Sequence, residues 1–243
     1  MNRMAKLFFL VVPALAAGIL IILYFSFNIL VKQAVESFGS RLTGTEVHLQ
    51  RSHISLFSGR GQLKGLTISN PRGFSRQAAF RLGEIRIALA LSSVFSSRIF
   101  IEEIFINEPE ILYEKGGRGS NITAILTHAR SLTQTKKPVP ASPSPAAGPG
   151  SEKYVRIQDF IIKNGKIHMS VAGLDKKLVS IALPDMHVKD IGKEEKKMTA
   201  VRVFEVLLGE LNRKILWAVT GSSLPFAEEG KKVIEKLKGI FTR

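Results

Sequence analysis

Two sixteen-residue segments of this chain share one pattern, and that pattern limits the fold. IFIEEIFINEPEILYE (Ile99–Glu114) and VRIQDFIIKNGKIHMS (Val155–Ser170) align so that Ile99 meets Val155, Ile101 meets Ile157, Ile104 meets Phe160, Ile106 meets Ile162 and Ile111 meets Ile167. In each, apolar residues alternate, a polar pair intervenes (Glu102-Glu103, Gln158-Asp159), and alternation restarts in the opposite parity. Strand period is two, so a change of parity requires an inserted residue or a corner. One supersecondary unit used twice is the expectation, with a looser third use at Val47, Leu49, Ile54 and Leu56.

The surrounding texture agrees. Short β-branched runs separated by Gly, Asn and Pro predict strands over Glu46–Gln50, Ser52–Phe57, Gln62–Ser69, Phe80–Leu91, Arg98–Asn107 and Glu110–Tyr113. Asn121–Thr133 predicts a short helix with Asn121 as its N-cap. Strand texture resumes at Tyr154–Ile162, Lys166–Val171, Leu178–Leu183 and Met186–Val188, after a Pro/Ala/Ser linker over 135–153. Two helices close the chain. Lys196–Val219 carries Val201, Phe204, Leu208, Leu211, Ile215 and Val219 at three-four spacing, and Ala227–Phe241 sets apolar residues against Lys231, Lys232, Lys236 and Lys238. A basic amphipathic helix of that kind rests on a membrane surface or packs on the sheet, and the moment alone separates neither.

Leu7–Val31 holds no charged residue over twenty-five positions, and at about 1.5 Å per residue it would exceed a hydrocarbon core of about 30 Å. It is expected to be an uncleaved single-pass anchor. A signal peptide has a shorter apolar core, and hydrophobicity here continues well past the A-x-A-like Ala14-Leu15-Ala16. A cytoplasmic head over 1–6, an amphipathic stalk over 32–44, a β module over 45–134, a second β unit over 154–190 and helices over 196–243 complete the expected layout.

Composition removes several function classes. There is no cysteine, hence no disulfide framework, thiolate nucleophile or Cys-type zinc site. The formal charge is +15, which beside an apolar anchor points to anionic lipid rather than nucleic acid, since one Trp and three Tyr form no nucleic-acid module. The five histidines stand apart without ligand spacing, and Gly59–Gly65 lacks the G-K-[ST] ending of a phosphate loop. No catalytic residue, metal site or cofactor is expected. Adjacent apolar positions such as Ile99-Phe100-Ile101 and Phe160-Ile161-Ile162 would put hydrocarbon on both sheet faces. Ile99, Ile101, Ile104, Ile106, Val155, Ile157, Phe160 and Ile162 are the candidates to line an apolar surface, against the plainer role of closed core.

Taken as a series, the TGT-x-V strand from Thr43, the S-G-x-G-x-L-x-G-L-x-I-x-N-P-x-G-F hairpin from Ser58, the L-G-E-I strand from Leu82, and the I-x-I-x-x-I-x-I-x-x-P-x-I-x-Y run from Ile99 ending in Gly119-Ser120-Asn121 resemble the amino-terminal part of AsmA-like proteins of Gram-negative envelopes. The resemblance covers Val31–Leu126 closely and Tyr154–Val188 loosely. It implies an α+β, mainly β fold with peripheral helices: a transmembrane helix, a curved, groove-like antiparallel sheet of repeated units related to TamB and chorein-type lipid bridges, and two C-terminal helices. It further implies bacterial inner-membrane residence, with the N-terminus cytoplasmic and the bulk periplasmic. The partners it implies are phospholipid and other envelope proteins, in lipid transport or outer-membrane biogenesis. A non-enzymatic scaffold using an open sheet edge is the alternative.

Overall fold

The computed structural model describes residues 3–55, 57–117, 119–134, 153–170, 178–195 and 197–221. The expected linker, apart from Lys153, and the last helix with Lys231, Lys232, Lys236 and Lys238 lie outside them. Helix α1 (Arg3–Thr43) leads into a hairpin of β1 (Val47–Ser55) and β2 (Arg60–Ser69), then β3 (Ala78–Leu89). Next come β4 (Arg98–Asn107), β5 (Glu110–Gly116), the two-residue β6 (Gly119–Ser120) and helix α2 (Asn121–Gln134). The second half contains β7 (Tyr154–Lys163), β8 (Lys166–Ser170), β9 (Leu178–Ala182), β10 (Met186–Ile191) and helix α3 (Ala200–Gly221).

The strands form one sheet six rows wide, in which β4 runs on into β5, β7 into β8, and β9 into β10. It is a mixed sheet, which corrects the antiparallel expectation. β4 pairs with β7, and β5 with β8, in parallel. The reason is connectivity: α2 and the residues between it and β7 make a connection long enough for the crossover that parallel pairing requires, where a hairpin would reverse the second copy. The copies meet in the register of the sequence repeat, Ile99 with Val155 through Asn107 with Lys163, then Glu110 with Lys166 through Glu114 with Ser170.

Both parity changes have visible causes. Opposite the polar pair, the β3/β4 register shifts between Ala88 and Leu89, which face Glu103 and Ile101 and leave Glu102 as the extra residue. A second change crosses the sheet at Gly65, Gly83, Glu108 and Asn164, the first and last two with φ of 65°, 51° and 56°. In the rows of Gly65, Glu108 and Asn164 a left-handed residue moves the next side chain to the other face, and in β3 the change falls at Gly83 without a positive φ. Leu66 and Ile68, Ile111 and Tyr113, and Ile167 and Met169 therefore share one core with Leu63, Ile106, Phe160 and Ile162 across the line. Gly165 follows Asn164, and a Cβ there would lie 2.7 Å from Leu183 Cδ2 and 3.2 Å from Pro109 Cγ, so a larger residue at this corner would have to displace Leu183.

The helices cover one face. α2 seats Ile122, Ile125, Leu126 and Ala129 in the core, and α3 seats Val203, Leu208, Leu211, Ile215 and Val219. Ser120, not Asn121, is the N-cap of α2: its Oγ accepts from Thr123 N at 3.1 Å. Asn121 is fully buried, which also closes its N-x-T sequon.

Among the described residues no helix is long and apolar enough to cross a membrane. The single-pass anchor over Leu7–Val31 is corrected accordingly, and with it the inner-membrane location, cytoplasmic N-terminus and periplasmic bulk. No boundary between anchor and stalk falls at Val31. α1 is continuous to Thr43, and Asn28, inside the expected span, is bonded to the sheet: its Oδ1 accepts from Ile54 N at 3.0 Å and its main-chain oxygen from Ser52 Oγ at 2.7 Å. The described helices number three, α3 being the one described C-terminal helix. α1 ends where Gly44 turns left-handed, φ 69°, with its N–H on Ser40 O.

Candidate functional site

The helix-free face is polar. Its two exposed-side phenylalanines are capped by arginines, with the Arg86 guanidinium 4.4 Å from the Phe105 ring centre and Arg156 5.2 Å from Phe100. Cation–π contacts thus cover the aromatic part of the hydrocarbon expected on this face, and Ile161, beside Phe105, stays half-buried. Around Arg86 lies an open depression of about 650 Å³ lined by His53, Arg60, Gln62, Glu102, Glu103 and Asp159. His187 Nε2 sits 2.6 Å from Asp159 Oδ1. That hydrogen bond, opposed by desolvation, holds the Asp159 carboxyl below the usual carboxylate range. Asp190 is lowered likewise, first by Lys193 and then by Arg156.

One Ser–His–carboxylate alignment stands on the same face. Ser180 Oγ is 2.8 Å from His168 Nδ1, and His168 Nε2 is 4.0 Å from Glu110 Oε2. The second separation is too long for a hydrogen bond, and Arg81 shares Glu110 at 4.0 Å. Ser180 lies on a strand interior, where no turn or helix N-terminus among the described residues supplies paired N–H donors to an oxyanion, as acyl transfer requires. Among the described residues no cluster of three His, Cys, Asp or Glu could hold a metal ion.

A buried polar network ties the β2–β3 connection to α2. Glu114 Oε1 accepts from Asn70 Nδ2 at 3.1 Å and from Ser75 Oγ, and Oε2 accepts from Ser75 N at 2.9 Å. Asn121 Nδ2 donates to Asn70 Oδ1 and Leu112 O, both at 2.7 Å, while its Oδ1 accepts from Glu114 N at 3.0 Å. Every polar atom has a partner, which makes this a structural clasp. It unites the Asn-Pro, Glu114 and Gly-Ser-Asn elements of the resemblance, which sequence spacing alone leaves unconnected. Nearby, burial pushes the Tyr113 phenol up, with a hydrogen bond from Ser120 acting the other way.

The eight candidate lining residues all fall on the helix-covered face or beside it. Ile106, Ile157, Phe160 and Ile162 are buried core; Ile101, Ile104 and Val155 are partly buried against it, and Ile99 is half-exposed. Burial differs along the sheet. Leu49, Ile111, Ile167 and Met169 are closed off completely, whereas a transverse row of Ile54, Ile87, Ile104 and Val188, interrupted by Gly61 and buried Phe160, is only partly covered.

The two sheet edges differ as well. The outward N–H groups of β1 are taken by α1: Val47 N donates to Ser40 Oγ at 3.0 Å, Leu49 N to Glu36 Oε1 at 2.8 Å and Ile54 N to Asn28 Oδ1. Among the described residues β9 and β10 carry no such cover on their outer side.

The chain matches no family model, no curated protein and no solved structure. The class defined by fold and surface is a six-row mixed sheet with helices on one face, and the AsmA-like resemblance rests on its residues alone.

Proposed function

We propose that the protein is a non-catalytic binder of phospholipid acyl chains. A chain would lie along the partly covered row of Ile54, Ile87, Ile104 and Val188. The observation that carries the reading is a contrast in burial within the core: Ile111, Ile167 and Met169 are sealed, while Ile54, Ile87, Ile104 and Val188 of one transverse row stay half-covered. Gly61 lies in the same row, and Ile54 folds over it, with Cδ1 only 2.5 Å from where a Cβ would stand. The side chains of this row are apolar, which suits a hydrocarbon tail. The resemblance to AsmA-like proteins points the same way, through the Val31–Leu126 motifs.

A phospholipid with a photoreactive acyl chain tests this. Adducts are expected at Ile87 and Ile104 and not at Ile111 or Ile167. Labelling that is absent, or spread evenly over sealed and half-open positions, would reject it.

The second reading is a scaffold that accepts a client strand, and it is favoured by the uncovered outer side of β9–β10 beside a sealed β1. Slowed amide exchange in Met186–Ile191 on client addition, without lipid adducts, would select it.

A further inference from the structure

Two connections meet at the end of the sheet where β1 turns into β2 and β3 passes to β4, and both present bare apolar side chains. Phe57 is 98% exposed, Phe95 84% and Leu91 39%. The two connections touch. Leu91 lies over Gly59, with Cγ 3.2 Å from where a Cβ would stand, and Gly59 O accepts from Leu89 N at 2.8 Å. The second connection is stiffened internally, since Ser93 Oγ accepts from Phe100 N at 2.8 Å and Ser96 Oγ donates to Ser93 O at 2.8 Å. Ile29 of α1, 58% exposed, stands next to Asn28 and its bonds to Ser52 and Ile54.

The charge next to the tips is positive: residues 57–61 and 89–100 contain Arg60 and Arg98 and no carboxylate, and Lys153 adjoins them, whereas Arg156 farther along this end is paired with Asp190. Lys153 lies against the Phe95 loop, donating to Val94 O at 2.8 Å. Exposed aromatics on short, fixed loops cost solvation free energy unless something apolar receives them. A rim of cations around apolar tips matches an interface with anionic headgroups above and acyl chains below. A protein partner would be expected to meet a groove or a strand edge, and the tips form neither.

We infer that this end of the sheet, through Phe57, Leu91 and Phe95 with Arg60 beside them, docks on the surface of an anionic phospholipid bilayer. The contact is peripheral and needs no spanning helix. It stands on exposure and charge, so it does not depend on the acyl-chain reading, whose test is labelling of the Ile87–Ile104 row.

The test places a single tryptophan in the full chain carrying Trp217→Phe, at Phe57→Trp, Phe95→Trp or, at the opposite end of the sheet, Phe74→Trp. Each is mixed with phosphatidylcholine vesicles containing about 30% phosphatidylglycerol, with acyl chains brominated to quench by contact. The expected result is a blue shift and several-fold stronger quenching at positions 57 and 95 than at 74. Arg60→Glu, or vesicles of phosphatidylcholine alone, should reduce it. Equal quenching at all three positions would overturn the inference, because the chain would then be held by another part such as α1. Quenching that ignores phosphatidylglycerol would overturn it too. Emission already blue-shifted without vesicles, and unquenched by them, would assign the tips to contacts between copies of the chain.

Discussion

Glu108 and Asn164 hold the same left-handed backbone, φ 51° and 56°, in parallel strands where each stands at the same place in its copy of the repeat. They are joined through each other's preceding residue, since Glu108 N donates to Lys163 O at 2.9 Å and Asn164 Nδ2 to Asn107 Oδ1 at 2.9 Å. The strain falls between two apolar stretches of opposite parity, where it keeps both stretches in one core.

That relationship can be tested by changing the residue and not the contacts. Glu108→Gly should stabilise the fold by up to about 1 kcal/mol, because glycine adopts positive φ without Cβ crowding. Glu108→Val should cost about 1–2 kcal/mol or more. Urea unfolding midpoints read both; equal midpoints for the two variants would show that the backbone there relaxes.

The clasp around Asn121 should be costly to open. Asn121→Ala strands Leu112 O, Glu114 N and Asn70 inside the protein, and about 2–4 kcal/mol of destabilisation is expected. Asn121→Asp should be worse, since it sets a second carboxylate beside Glu114. Denaturant titration ranks the three proteins.

Removing the cover on β1 should expose a pairing edge. Glu36→Ala frees Leu49 N–H at a cost of about 1–3 kcal/mol, while Glu36→Gln keeps an acceptor and should recover most of it. Faster amide exchange at Leu49, together with concentration-dependent association by light scattering, is the expected signature in the alanine variant.

Acid should weaken the polar face in a defined direction. Asp159 and Asp190 titrate below their ordinary values in the folded chain, through His187 and through Lys193 with Arg156. Their contribution is complete above the unfolded carboxylate value of about 4 and is lost as pH falls through the lower native values. The melting temperature should therefore drop between about pH 5 and pH 3, and Asp190→Asn should flatten part of that slope. A parallel profile in the variant would show that the ion pair is immaterial to folding.

Much of the local structure was legible because strand period and β-branched content are written into adjacent residues. β4 occupies the expected Arg98–Asn107, and α2 runs one residue past the expected Thr133. The expected break at Arg51 is absent, and β1 runs through it as one strand, because β2 pairs with it from Val47 to Ser55. The clasp residues and the tips Phe57 and Phe95 were not legible as such. Asn70 and Glu114 meet across 44 residues of chain, and exposure belongs to the assembled surface, not to a residue type.

The amino-acid sequence by itself determined that a parity-switching strand unit is used twice, since side-chain alternation is a property of neighbouring residues. Tertiary structure alone decided that the copies lie parallel, that α1 bonds to an edge strand from Asn28 to Ser40, and which apolar residues helices cover. Those outcomes depend on which distant strands and helices come together, and no local pattern of side chains records that choice.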